Sequence, residues 1–171
     1  MRIAEFLLWL GGILLALLML VACSTTPEAG TGARAEPAYY VMRHLQKAGG
    51  ADPALSAEGA ANTQRLTAWF NNRAKPAAIY VSSTRRARET AAPLAAALGV
   101  TPQEYNPADT PALLARIRAE AGSVLVVGHS NTVPDIVAGL GGVRPAPLAE
   151  TTYGSIWAVT KSGGSTEQLG L

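Results

Sequence analysis

The run Ser123-Val124-Leu125-Val126-Val127 constrains the fold more than any other part of this sequence. Side chains of a strand alternate between two faces, and here both faces are apolar, so a strand at this place must be covered on both sides. A doubly covered strand belongs in the middle of a parallel sheet, and parallel strands need helical crossovers. The flanking sequence supplies both kinds of element. Tyr39-Tyr40-Val41-Met42, Ala77 to Val81, Gln103–Tyr105 (weakly) and Ser155–Thr160 read as strands. A helix capped by Ser56 is expected to run to about Asn72, with Leu66, Trp69 and Phe70 on one face. An alanine-rich helix follows from about Arg86 to Leu98, closed by Gly99; another carries Leu113, Leu114 and Ile117, and a last one spans Val133 to Leu140. Strands alternating with helices predict an α/β protein, a three-layer α/β/α sandwich on a mostly parallel central sheet.

The amino-terminal end does not fit that pattern. Residues 6–22 carry no charge and follow Arg2 and Glu5. At ~1.5 Å per residue the stretch is short for an ~30 Å bilayer core and suits the apolar region of a signal peptide. It ends Leu20-Val21-Ala22-Cys23, which resembles a bacterial lipobox, where cleavage precedes a cysteine that is then lipidated. Cys23 is the sole cysteine of the chain. The alternative, an uncleaved anchor with an incidental cysteine, also tethers the protein to a membrane. Ser24 follows the cysteine; the resemblance then implies the bacterial cell envelope, lipid-anchored in the outer membrane and facing the periplasm. Residues 1–22 are thus expected as a signal peptide, 23–37 as a flexible Ser/Thr/Gly/Pro-rich tether, and 38–171 as the folded domain.

Composition narrows the chemistry. One cysteine excludes a disulfide framework and a cysteine-rich zinc site. Fourteen basic against twelve acidic residues give no field that would argue for nucleic acid. Both histidines of the chain follow strands directly, His44 after Tyr40-Val41-Met42-Arg43 and His129 after Val126-Val127-Gly128. The strand Ile79-Tyr80-Val81 runs into Thr84-Arg85-Arg86. Carboxyl ends of strands in an open α/β sheet form the ligand crevice, so Arg43, His44, Arg86 and His129 are expected along one edge. Arg85 and Arg88 read as solvated helix surface. Guanidinium charge repels a metal, and no carboxylate pair accompanies the histidines, so no metal or other cofactor is expected. An anion fits, because guanidinium forks match phosphate oxygens and a neutral imidazole can attack phosphorus. Gly128-His129-Ser130 is not the Gly-x-Ser-x-Gly elbow of a serine hydrolase.

Four segments, in order, resemble the histidine phosphatase superfamily, the phosphoglycerate-mutase-like fold. They are Val41-Met42-Arg43-His44, Asp52-Pro53-Ala54-Leu55-Ser56-Ala57-Glu58-Gly59, Ser82 to Ala91 (SSTRRARETA), and Val126-Val127-Gly128-His129-Ser130-Asn131. The resemblance implies that His44 becomes phosphohistidine and that Arg43, Arg86 and His129 hold the phosphoryl group. Asn131 and its neighbour Ser130 lie close enough to His129 to assist as a further phosphate contact, or else cap the following helix. Leu45 and Gln46 depart from the family, which usually has glycine and then an acidic residue there.

A phosphomonoester also needs a proton on its leaving oxygen, usually from a carboxyl group. Glu104, Asp109 and Asp135 are the candidates, although Asp109 could instead cap the following helix and Asp135 could favour its helix dipole. The expected protein is a phosphohydrolase acting on a small phosphorylated substrate, with a non-catalytic phosphate-binding lipoprotein and, more remotely, a mutase as alternatives. Substitution of Cys23 tests the anchor. Cys23→Ser should abolish the acyl mass increment and release the protein from membranes, since each buried methylene of an acyl chain contributes about 0.8 kcal/mol to anchoring. A variant that stays membrane-bound with an unchanged mass overturns the lipobox reading.

Overall fold

The computed structural model describes residue 36, residues 38–163 and residues 166–171. The expected signal peptide, Cys23 and the expected tether up to residue 35 lie outside the described residues. Among the described residues, no helix is long and apolar enough to cross a membrane.

The Ser123-to-Val127 run forms the strand β4, Ser123–Gly128, with all six residues buried. Leu125 and Val127 point into one core layer, Val124 and Val126 into the other. The first strand, β1 (Ala38–Arg43), is likewise buried throughout, with Tyr40 and Met42 on the first face and Tyr39 and Val41 on the second. Helix α1 (Ala57–Trp69) ends in a 3-10 turn at Phe70–Asn72, β2 covers Pro76–Ser82, and α2 covers Arg85–Leu98. Then come β3 (Gln103–Tyr105), α3 (Thr110–Ala119), β4, α4 (Val133–Gly139), β5 (Ser155–Thr160) and β6 (Thr166–Gly170). The helices α1 and α2 supply Leu66, Ala87, Ala91 and Leu94 to the first layer. The helices α3 and α4 supply Leu113, Ile117, Val133 and Ile136 to the second. The three-layer α/β/α sandwich is therefore as expected.

The sheet order is β3-β2-β4-β1-β5-β6. β1 pairs with β4, and β2 with both β3 and β4, in parallel; β5 is antiparallel to β1 and to β6. The sheet is mixed and mostly parallel. β6 was not foreseen, because Thr166-Glu167-Gln168-Leu169-Gly170 shows no strong strand pattern at an exposed edge; Gly163, at φ +87°, marks the turn into it. Chain progression reverses direction at β4, and such a reversal opens a crevice at the carboxyl ends of the strands.

One close approach fixes the loop after β1. Ser56 caps α1 by accepting from the Gly59 N–H at 3.1 Å, while its own N–H donates to the Gln46 carbonyl at 2.9 Å. This draws α1 so near the loop that a Cβ at Gly59 would lie 2.1 Å from the Gln46 carbonyl oxygen. In an exposed helix Gly→Ala would gain about 1 kcal/mol. Here Gly59→Ala should instead destabilise by about 1–3 kcal/mol through overpacking against backbone, seen as a lowered midpoint of thermal unfolding. A midpoint equal to or above that of the wild type would show that the loop yields freely.

Candidate active site

The register of β1 against β4 sets Arg43 opposite Gly128, so His44 and His129 leave neighbouring strands side by side. The His44 N–H extends the pairing by donating to the Gly128 carbonyl at 3.0 Å. The two imidazoles lie 5.4 Å apart between centroids. Next comes Leu45, fully buried in the first core layer, its N–H donating to Thr90 Oγ1 at 3.0 Å. Thr90 in turn donates to the Arg86 carbonyl at 2.8 Å, which ties the loop after β1 to the first turn of α2. Leu45 thus adds a core anchor directly behind His44.

The imidazole protons follow from the partners. His44 Nδ1 lies 2.8 Å from the Leu45 carbonyl oxygen, which can only accept, so Nδ1 carries the proton and Nε2 keeps a free lone pair. His129 Nδ1 faces Arg86 Nη2 at 3.4 Å, and a guanidinium can only donate. The proton of His129 therefore sits on Nε2 and is donated to Ser82 Oγ at 2.8 Å, with Thr84 Oγ1 another 3.0 Å beyond. Burial pushes His44 down from 6.5 to about 4; the Leu45 carbonyl opposes this, and Arg86, Arg43 and His129 add to it. His129 falls to about 4 through burial and then the Arg86 and Arg43 charges. Both rings are neutral near pH 7.

Arg43 is 2% exposed. Its Nη1 donates to the carbonyls of Ala149 (2.9 Å), Glu150 (3.0 Å) and Thr152 (3.2 Å). Its Nη2 donates to Glu150 Oε2 at 3.0 Å, and the guanidinium covers the Tyr153 ring at 4.3 Å. Arg86 Nη1 pairs with Asp52 Oδ1 at 3.6 Å. Asp52 also accepts from the Arg85 N–H at 3.0 Å, so the aspartate of the Asp-Pro motif joins its loop to the start of α2. The Nε–H groups of Arg43 and Arg86 are both buried and have no partner among the described residues. Two such donors close to two neutral imidazoles suit an anion, because a buried N–H without an acceptor is costly and an anion supplies a charge-assisted bond. Among the described residues, no group of three or more histidine, cysteine, aspartate or glutamate side chains is placed to hold a metal ion.

The other expected residues stand further off. Asp109 caps α3 by accepting from the Ala112 N–H at 3.0 Å. Glu104 pairs with Arg88 at 3.2 Å, and Asp135 with Arg144 at 2.5 Å. Glu104 and Asp109 line a neighbouring cleft of about 480 Å³ together with Tyr105 and Arg116. None of the three carboxylates bonds to His44, His129, Arg43 or Arg86. Asn131 is exposed and makes no side-chain hydrogen bond to a described residue; Thr132 holds His129 instead, accepting from its N–H at 3.0 Å. Arg85 and Arg88 are exposed surface, as read from the sequence. Sequence reasoning missed Glu150 and Tyr153, which lie in a Gly/Pro-rich segment without periodicity, and no local signal marks them.

Residues 40–108 match the histidine phosphatase superfamily (branch 1). No curated protein matches the chain. Solved structures share the fold. A protein histidine phosphatase SixA, solved with tungstate, aligns at TM-score 0.65 and 21% identity over 78% of this chain and 96% of its own. A SixA protein from Agrobacterium tumefaciens aligns at 0.62 and 19%, over 80% and 99% of the two chains. The mycobacterial glucosyl-3-phosphoglycerate phosphatase aligns at 0.58 and 14%, over 78% and 97%. At these identities the likeness is one of fold.

The depressed histidines have a measurable cost. Between pH 6.5 and about 4 the unfolded chain binds protons that the folded site refuses, so stability falls as pH falls through that window and is unaffected by them above it. His44→Gln should make the decline of the unfolding free energy across this window shallower. An unchanged slope would mean that His44 is not held neutral.

Proposed function

We propose that the protein is a phosphohydrolase that cleaves a phosphorylated substrate through a phosphohistidine on His44. The observation that carries this reading is the fixed tautomer of His44, whose Nδ1–H is held by the Leu45 carbonyl, which leaves the lone pair on Nε2; the buried Nε–H groups of Arg43 and Arg86 also lack partners among the described residues. In the proposed reaction, Nε2 attacks phosphorus, the bond to the leaving group breaks, and the Leu45 carbonyl steadies the positive charge that the ring acquires. Arg43 and Arg86 offset the charge on the equatorial oxygens, and His129 orients Arg86. Water then attacks the phosphohistidine and frees phosphate with neutral His44.

The leaving group defines the substrate class. Glu104, Asp109 and Asp135 all have partners elsewhere, which favours leaving groups that depart without a proton from the protein. A phosphorylated imidazole is one, since its second ring nitrogen takes a proton from water before the P–N bond breaks. The fold likeness to a protein histidine phosphatase supports the same class. We further propose that the domain acts at a membrane, tethered through Cys23.

With 4-nitrophenyl phosphate, and with a phosphohistidine peptide, rapid quenching should trap acid-labile, base-stable label on His44, and His44→Ala should lose it. Arg86→Ala should lower kcat/KM by roughly 10²–10³-fold, as expected for a donor to a charged transition state. Glu104→Gln, Asp109→Asn and Asp135→Asn should each avoid the loss of ~10²-fold or more that removing a general acid brings. Label on Ser83 or Ser130 would overturn the assignment, and absence of turnover on every substrate would favour a phosphate-binding protein.

A further inference from the structure

Both arginines of the site already face carboxylates. Asp52, on Arg86, has a second duty in joining its loop to the start of α2. Glu150, on Arg43, has none of that kind. Its Oε2 accepts from Arg43 Nη2 at 3.0 Å and its Oε1 from Ser130 Oγ at 3.2 Å. The carboxylate therefore bridges the residue before His44 and the residue after His129, directly over the strand ends. Its side chain is 77% exposed while that of Arg43 is 3% exposed. Arg43, helped by Ser130, holds the Glu150 carboxyl below the usual carboxylate range, and Lys47 adds to this. It is an anion at neutral pH.

We propose that the Glu150 carboxylate is a built-in stand-in for the substrate anion, occupying Arg43 until a phosphoryl group displaces it, and that it determines which charges the site accepts. This rests on the phosphohydrolase reading and names a specificity residue for it. The exchange is favourable in direction. An exposed carboxylate leaves the arginine for water at little cost, whereas a dianionic phosphoryl group makes more and stronger charge-assisted bonds. The guanidinium does not wander during the exchange, because the carbonyls of Ala149, Glu150 and Thr152 still hold Nη1. Once displaced, Glu150 remains at the rim as a fixed negative charge. It disfavours leaving groups that carry a further negative charge and favours neutral or cationic ones, such as an imidazole in a basic stretch of polypeptide.

Binding and turnover are measured separately, on the same protein. Inorganic phosphate is titrated calorimetrically at low ionic strength into wild type, Glu150→Gln and Ser130→Ala. Glu150→Gln should bind phosphate about two- to fivefold more tightly, the range expected for removing one exposed competing ion pair. Added salt should shrink that difference. Ser130→Ala, which removes only the second hydrogen bond of Glu150, should shift binding the same way by less. With 4-nitrophenyl phosphate the KM of Glu150→Gln should fall while kcat stays within about twofold. Its preference for that substrate over a carboxylated aryl phosphate should narrow. Phosphate binding that is unchanged or weaker in Glu150→Gln overturns the proposal, as does absence of phosphate binding in both proteins. Tighter binding without turnover in any protein would instead remove the hydrolytic reading and leave the exchange intact. Turnover with label on His44 but an unaltered Glu150→Gln would do the reverse.

Discussion

The parallel pairing of β1 with β4 is the constraint on which the strand-end chemistry depends. Because Arg43 stands opposite Gly128, the next residue on each strand is a histidine, and the His44 N–H bonds the Gly128 carbonyl. A slip of one residue would turn His44 to the other face of the sheet and part the rings. What prevents the slip is apolar: Tyr39, Val41, Val124 and Val126 fill one layer, Tyr40, Met42, Leu125 and Val127 the other. The catalytic geometry proposed here is thus held by residues that perform no chemistry.

Within this frame, dehydration and positive charge act together on the imidazoles. An isolated guanidinium beside a histidine lowers its basicity, and burial does so more strongly. Both act on His44 and His129, so the rings stay neutral. The resulting site sets two guanidinium groups, each also facing a carboxylate, beside two uncharged imidazoles. The Leu45 carbonyl supplies the orientation that charge alone cannot, since it fixes which nitrogen is free.

The elements were legible wherever apolar periodicity or a strong cap controlled them. The span of β4, the Ser56 cap, the Gly99 terminus at φ +67° and the short β3 all lie where the pattern places them. Gathering of Arg43, His44, Arg86 and His129 was legible because all four follow or lie near strand ends, and parallel sheets bring such ends together. Less legible were interactions that depend on tertiary approach. Nothing local in Leu45 shows that its backbone will be bonded by Thr90, or that Thr132 rather than Asn131 will hold His129. The segment after α4 was opaque for a different reason. Its course is set by a distant guanidinium rather than by its own periodicity.

That last arrangement bears on how such a surface can diversify. Three of the bonds by which Arg43 holds the segment end on backbone carbonyl oxygens. Every amino acid presents that atom, so the path of the chain across the mouth of the site is largely independent of the side chains along it. The side chains of Ala149 and Thr152 can therefore change in size, polarity or charge while the strap keeps its position. A single arginine, itself next to His44 in the chain, lets the surface at the mouth of the site be rewritten without rebuilding the scaffold beneath it.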